Sequence, residues 1–141
     1  MNKTTRKSVG AVLTGFIFIV ITHTATDAIL EGAGVLPKGN LFVGTGLILI
    51  VLGYRAVFSF IGCYLTAKLA PRYPMKHALI LGFIGFALSC VGAIVTANLG
   101  PAWYGWTLAL IALPIAWLAG KLYELRLHQY ESKATSVIIN E

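Results

Sequence analysis

The chain has 141 residues, of which 57% are hydrophobic and only 11% charged, and its mean hydropathy is +0.81. A water-soluble domain carries about 25% charged residues, so this composition excludes a soluble enzyme or binding module and leaves room for one membrane-embedded bundle. The net charge of +6 does not indicate nucleic acid as a partner, because the basic residues flank apolar stretches and are not interleaved with aromatics on a polar face.

Residues 1–7 form a basic N-terminal segment with Lys3, Arg6 and Lys7, and the first apolar run covers about 8–30. A basic start before an apolar run also matches a signal peptide, with small residues at Ala25 and Ala28 as cleavage sites. The run continues past His23 and three more spans follow, so it is read as a first membrane helix. The Glu31–Asn40 stretch, EGAGVLPKGN, is a glycine- and proline-rich turn that makes the next helix an antiparallel neighbour.

The second helix is expected over 41–69 and carries Arg55 near its middle. APRYPMKH follows, with Pro71 and Pro74 ending one helix and starting the next. The third helix is expected over 78–98 and the fourth over 104–123, entered through Gly100-Pro101 and the aromatic cluster Trp103, Tyr104 and Trp106. Such a cluster marks a membrane surface. Pro114 lies inside the fourth helix and removes one of its hydrogen bonds. Residues 124–141 form a polar tail that extends the fourth helix before fraying.

The spacing therefore predicts an all-α, four-helix transmembrane bundle of antiparallel up-down topology, a single domain over 8–123 between two polar ends. Lysines and arginines set its orientation. Three lie in the N-terminal segment, three between helices two and three (Lys68, Arg72, Lys76) and three after helix four (Lys121, Arg126, Lys133). The other two connections hold only Lys38. This bias places both termini in the cytoplasm of a cell whose plasma (inner) membrane the protein crosses.

Small residues recur every four positions at Gly85, Ser89, Ala93 and Ala97, at Ser59, Cys63 and Ala67, at Gly62, Thr66 and Ala70, and at Ala112, Ala116 and Gly120. Such rows let helix backbones approach closely in lipid. They fit contacts within the bundle and contacts in a homo-oligomer equally. The tripeptide Gly-Phe-Ile at Gly15 recurs at Gly82, a weak sign of a two-plus-two repeat. Cys63 and Cys90 read as small packing residues, with no neighbouring cysteine or histidine at metal-ligand spacing.

An arginine at the centre of a spanning helix costs about 2.5–3.5 kcal/mol on insertion scales, so Arg55 needs a partner. His23 and Asp27 lie one turn apart on one face of the first helix, at a depth the long Arg55 stem can reach. Asp27 is the expected counter-ion, with His23 lining the same pocket. Tyr54 points about 100° away from Arg55, so it need not share the site. Arg72, Lys76 and His77 gather at the cytoplasmic surface, where they fit lipid headgroups or serve as topology charges. No metal cluster, phosphate loop or nucleophile–base set is present, so neither a cofactor nor an enzymatic activity is expected.

HTATDAILEGAGVLP, YRAVFSFIGCYLTAKLAPRYPMKHALILG and GPAWYGWTLALIALPIAWLAGKL together resemble a group of small four-span bacterial inner-membrane proteins with no assigned activity. The resemblance covers roughly residues 22–122 and is most specific at Tyr54-Arg55, LAPRYPMKHA and Pro101-x-Trp103-Tyr104. The group often has histidine at the position of Glu31 and proline at that of Gly105, where this chain departs. The resemblance implies the topology and no activity. Small multidrug exporters fit less well, because the first helix lacks their mid-membrane glutamate. Glutathione-dependent membrane enzymes also fit poorly, since the interiors of helices three and four are nearly bare of polar groups. Two functions remain: a small permease-like or channel-like protein with a polar pocket at Arg55, its substrate unread, or a structural or accessory subunit in which the Arg/Asp pair only fixes packing.

Overall fold

The computed structural model describes residues 2–37, 44–98 and 100–139. It contains α1 (Lys3–Gly32), α2 (Thr45–Leu69), α3 (Pro74–Val95) and α4 (Ala102–Ile139). Lys38 and the expected first residues of the second helix, 41–43, lie outside the described residues, as do 1, 99, 140 and 141. All four helices are long and apolar enough to cross a membrane, and the protein is a multi-pass membrane protein with an all-α four-helix fold. At 1.5 Å per residue, even the 22 residues of α3 span about 33 Å, enough for a hydrocarbon core about 30 Å thick.

Helix ends depart from the expected ones where polar residues continue a helix. α1 begins at Lys3, five residues before the apolar run, and α3 begins at Pro74, whose fixed φ suits the first helical position. α3 ends at Val95, because the Thr96–Asn98 stretch forms a turn. α4 runs unbroken through the polar tail to Ile139, the extension expected for that tail. Its side chains from Leu125 to Val137 are exposed, so that segment projects from the bundle.

Contacts between neighbours show the chain direction. Ala11 meets Thr66, and Gly15 meets Gly62, so α1 and α2 run antiparallel. Ala78 faces Gly120, Gly82 faces Ala116 and Ala93 faces Gly105, so α3 and α4 do too. The core at the end holding the α2–α3 turn is built of small side chains. Ala67, Ala78, Ala116 and Ala119 are fully buried around Cys63 and Leu81. Lipid tails give helices no hydrophobic reason to associate, so close backbone approach and its dispersion contacts hold such a bundle together. Thr66, fully buried, donates its hydroxyl to the Ala11 carbonyl at 3.3 Å and ties α2 to α1. The large apolar side chains point outward instead, among them Ile21, Ile50, Phe83, Val91 and Leu110.

The opposite end is closed by a fold-back after α1. Gly34 adopts φ +71, a left-handed conformation that costs glycine little. The Val35 and Leu36 amides then both donate to the Leu30 carbonyl, a Schellman-type ending. This turn drops Leu36, 2% exposed, among Ile48, Val51 and Tyr104. The α2–α3 turn is tighter. Tyr73 takes φ 51, unusual for a residue with a side chain, and its carbonyl accepts the Lys76 and His77 amides. Left-handed backbone at a non-glycine residue costs about 1–3 kcal/mol.

Candidate functional site around Arg55

α1 and α2 cross so that His23 and Asp27 on one meet Tyr54, Arg55 and Phe58 on the other. Arg55 Nη2 donates to Asp27 Oδ2 at 2.6 Å, and the Tyr54 hydroxyl donates to Asp27 Oδ1. Both oxygens of the carboxylate are therefore occupied by α2. His23 Nε2, as a donor, reaches the Arg55 carbonyl at 3.2 Å, and its ring sits 6.3 Å from that of Phe58. The two charged side chains are about one-fifth exposed. The expected pocket residues Arg55, Asp27 and His23 thus lie together.

Tyr54 joins the site, which the sequence left open. Adjacent helical residues diverge by about 100°, yet the Tyr54 hydroxyl and Arg55 Nη2 both reach the Asp27 carboxylate, one to each oxygen. Tyr104 is the second surprise. Trp103 and Trp106 are exposed, 42% and 48%, whereas Tyr104 between them is buried at 7%. It belongs to the inward row that continues through Leu108, Ala112 and Ala116, and that four-residue spacing was its signal.

Arg55 also borders two adjoining cavities. One, of about 210 Å³, lies deeper in the bundle. Phe16, Ile19, Leu81, Ile111 and Ile115 give it apolar walls, and His23, Arg55, Ser59 and Ser89 give it polar points. The other, of about 360 Å³, is bounded by Arg55, Ser89, Gly92, Thr96, Tyr104 and Gly105, toward the α1–α2 end. Small-molecule sites occupy about 300–1,000 Å³, a range the two reach together. The Arg55 Nε–H is buried and has no hydrogen-bond partner among the described residues.

The glycines of α3 fall into two kinds. A Cβ on Gly82 would collide with Ala116, and one on Gly105 across the interface would lie 2.6 Å from the Ala93 Cβ. A Cβ on Gly85 or Gly92 would meet nothing within 4 Å, and both residues border the cavities. The row Gly85, Ser89, Ala93, Ala97, expected to be a packing face, is therefore largely cavity wall, with Ala93 as its contact point.

The remaining candidates stand apart. Arg72 and Lys76 are exposed at the α2–α3 turn. Lys76 Nζ lies 4.6 Å above the Tyr73 ring, and His77 Nδ1 is 3.1 Å from the Tyr73 carbonyl. Arg72 borders a surface groove with Tyr73, Tyr123 and Leu127. Cys63 is buried and Cys90 half-buried, both as free thiols. Among the described residues, no three His, Cys, Asp or Glu side chains gather to hold a metal ion. Compared with known proteins, the chain matches no family, no curated protein and no solved structure.

Proposed function

We propose that this is a small permease-like membrane protein whose solute site is the cleft beside Arg55. One observation carries the reading: the arginine stands where the two cavities adjoin, one deep in the bundle and one toward the α1–α2 end. Intramembrane charges are functional by default, and this one faces open volume as well as its counter-ion. The lysine and arginine bias puts the termini in the cytoplasm of a bacterial-type inner membrane, so the larger cavity would open outward.

The alternative, an accessory subunit with a purely structural ion pair, draws on the 2.6 Å Asp27–Arg55 contact that locks α1 to α2. Thiol access separates the two. Ser89→Cys and Gly92→Cys, each in a Cys63→Ala, Cys90→Ala background, should react in intact cells with a membrane-impermeant thiol reagent. Absence of labelling at both positions in folded protein would sink the permease reading and leave the structural one.

A further inference from the structure

Away from the Arg55 cleft, α2 and α4 leave a groove on the outer surface of the bundle. Phe60, Ile61 and Tyr64 of α2 and Leu122 and Arg126 of α4 line it, around about 220 Å³. Ile61 and Leu122 are 41% and 38% exposed, so the groove opens outward. Ile61 precedes the end of α2 at Leu69 by eight residues. The groove therefore reaches about 12 Å into a leaflet whose hydrocarbon is about 15 Å thick, half the core.

Arg126 also borders a second hollow, of about 310 Å³, with Gln129, Tyr130 and Lys133. Leu122, Arg126, Gln129 and Lys133 follow at spacings of four, three and four, so they form one stripe along α4. That stripe turns from apolar to basic where the groove leaves the bundle. Every side chain of the hollow can donate a hydrogen bond and two are cationic. Among the described residues no carboxylate borders it, and neither Arg126 nor Lys133 has a carboxylate partner. The acidic residues of this part of α4, Glu124 and Glu131, lie about 160° and 140° round the helix from Arg126. Lys68, exposed one turn beyond Tyr64 on the same face of α2, adds a third positive charge.

An apolar groove that ends in unpaired cations has the form of an amphiphile: a chain within, an anion at the mouth. Basic pockets between spanning helices hold anionic lipid headgroups in this way. We infer that α2 and α4 bind an anionic phospholipid of the adjoining leaflet, with an acyl chain along Phe60, Ile61, Tyr64 and Leu122 and the phosphate on Arg126 and Lys133. The site is independent of what the Arg55 cleft carries.

Native mass spectrometry of the full chain in a neutral detergent tests this, with dioleoyl phosphatidylglycerol, dioleoyl phosphatidylcholine and glycerol phosphate as probes. Two basic side chains at the surface should favour phosphatidylglycerol over phosphatidylcholine by about 30-fold. Glycerol phosphate, which has no chain for the groove, should bind far more weakly than either lipid. Arg126→Gln with Lys133→Gln should bring the two lipids level. Lys3→Gln with Lys7→Gln removes the same charge from α1 and should leave the preference standing. Ile61→Trp, filling the groove from an exposed position, should weaken both lipids. Equal affinity of the unaltered protein for the two lipids would overturn the anion site. Glycerol phosphate binding as tightly as phosphatidylglycerol, or full lipid binding by Ile61→Trp, would overturn the groove. An equal loss of preference in both charge variants would mean a general attraction to net charge and would overturn the assignment to Arg126 and Lys133.

Discussion

Removing either member of the Asp27–Arg55 pair strands the other charge in the membrane interior. Asp27→Leu and Arg55→Leu should each cost about 3 kcal/mol, the lower end of the range for breaking a buried pair, because both side chains keep some exposure. The double variant should cost less than either single, a coupling that a thermal-unfolding cycle measures directly. Simple addition of the two losses would show that the contact does not bind α1 to α2. Tyr54→Phe removes a hydrogen bond to a carboxylate and should cost about 1.5 kcal/mol. His23, Asp27 and Arg55 were readable from sequence because helical spacing and depth are arithmetic. Tyr54 was not, because its place depends on how far α1 and α2 rotate about their axes, which neighbouring helices decide.

Glycine has two uses in these helices, and substitution should tell them apart. Gly15 sits against Gly62 and Thr66, and Gly82 against Ala112 and Ala116. Leucine at either position overpacks an interface and should cost about 1–3 kcal/mol or more. Gly85→Leu should stay within about 0.5 kcal/mol of wild type, as judged by unfolding temperature in nanodiscs. An equal loss at all three positions would mean that Gly85 is a packing residue and the cavity beside it is not open. The repeated Gly-Phe-Ile gains a shared meaning here: each copy's glycine is where a helix presses on its successor, α1 on α2 and α3 on α4. Rows of small residues in sequence cannot distinguish this contact from a void, since both require a missing side chain. Hydropathy likewise located the spans but not the start of α1, which lies in the polar Lys3–Lys7 segment before the apolar run.

The whole molecule combines a packed base, an open cleft and a projecting rod. With 38 residues, α4 is about 57 Å long against a hydrocarbon core of about 30 Å. Tyr123 packs on the core and Leu127 shares the groove beside the α2–α3 turn, while the side chains from His128 to Val137 are exposed. Ending the chain after His128 should therefore change stability by no more than about 0.5 kcal/mol, measured as unfolding temperature. A larger loss would show that the projecting segment is packed against something in the assembled protein.

The ion pair at the centre has one electrical consequence. Carrying a whole charge across a membrane is worth about 2.3 kcal/mol per 100 mV. Opposite charges 2.6 Å apart span less than a tenth of a core about 30 Å thick, so the same field does at most about 0.2 kcal/mol of work on them. Membrane voltage has almost no purchase on this cleft. The Asp27–Arg55 contact would therefore be alike in an energised and a discharged membrane.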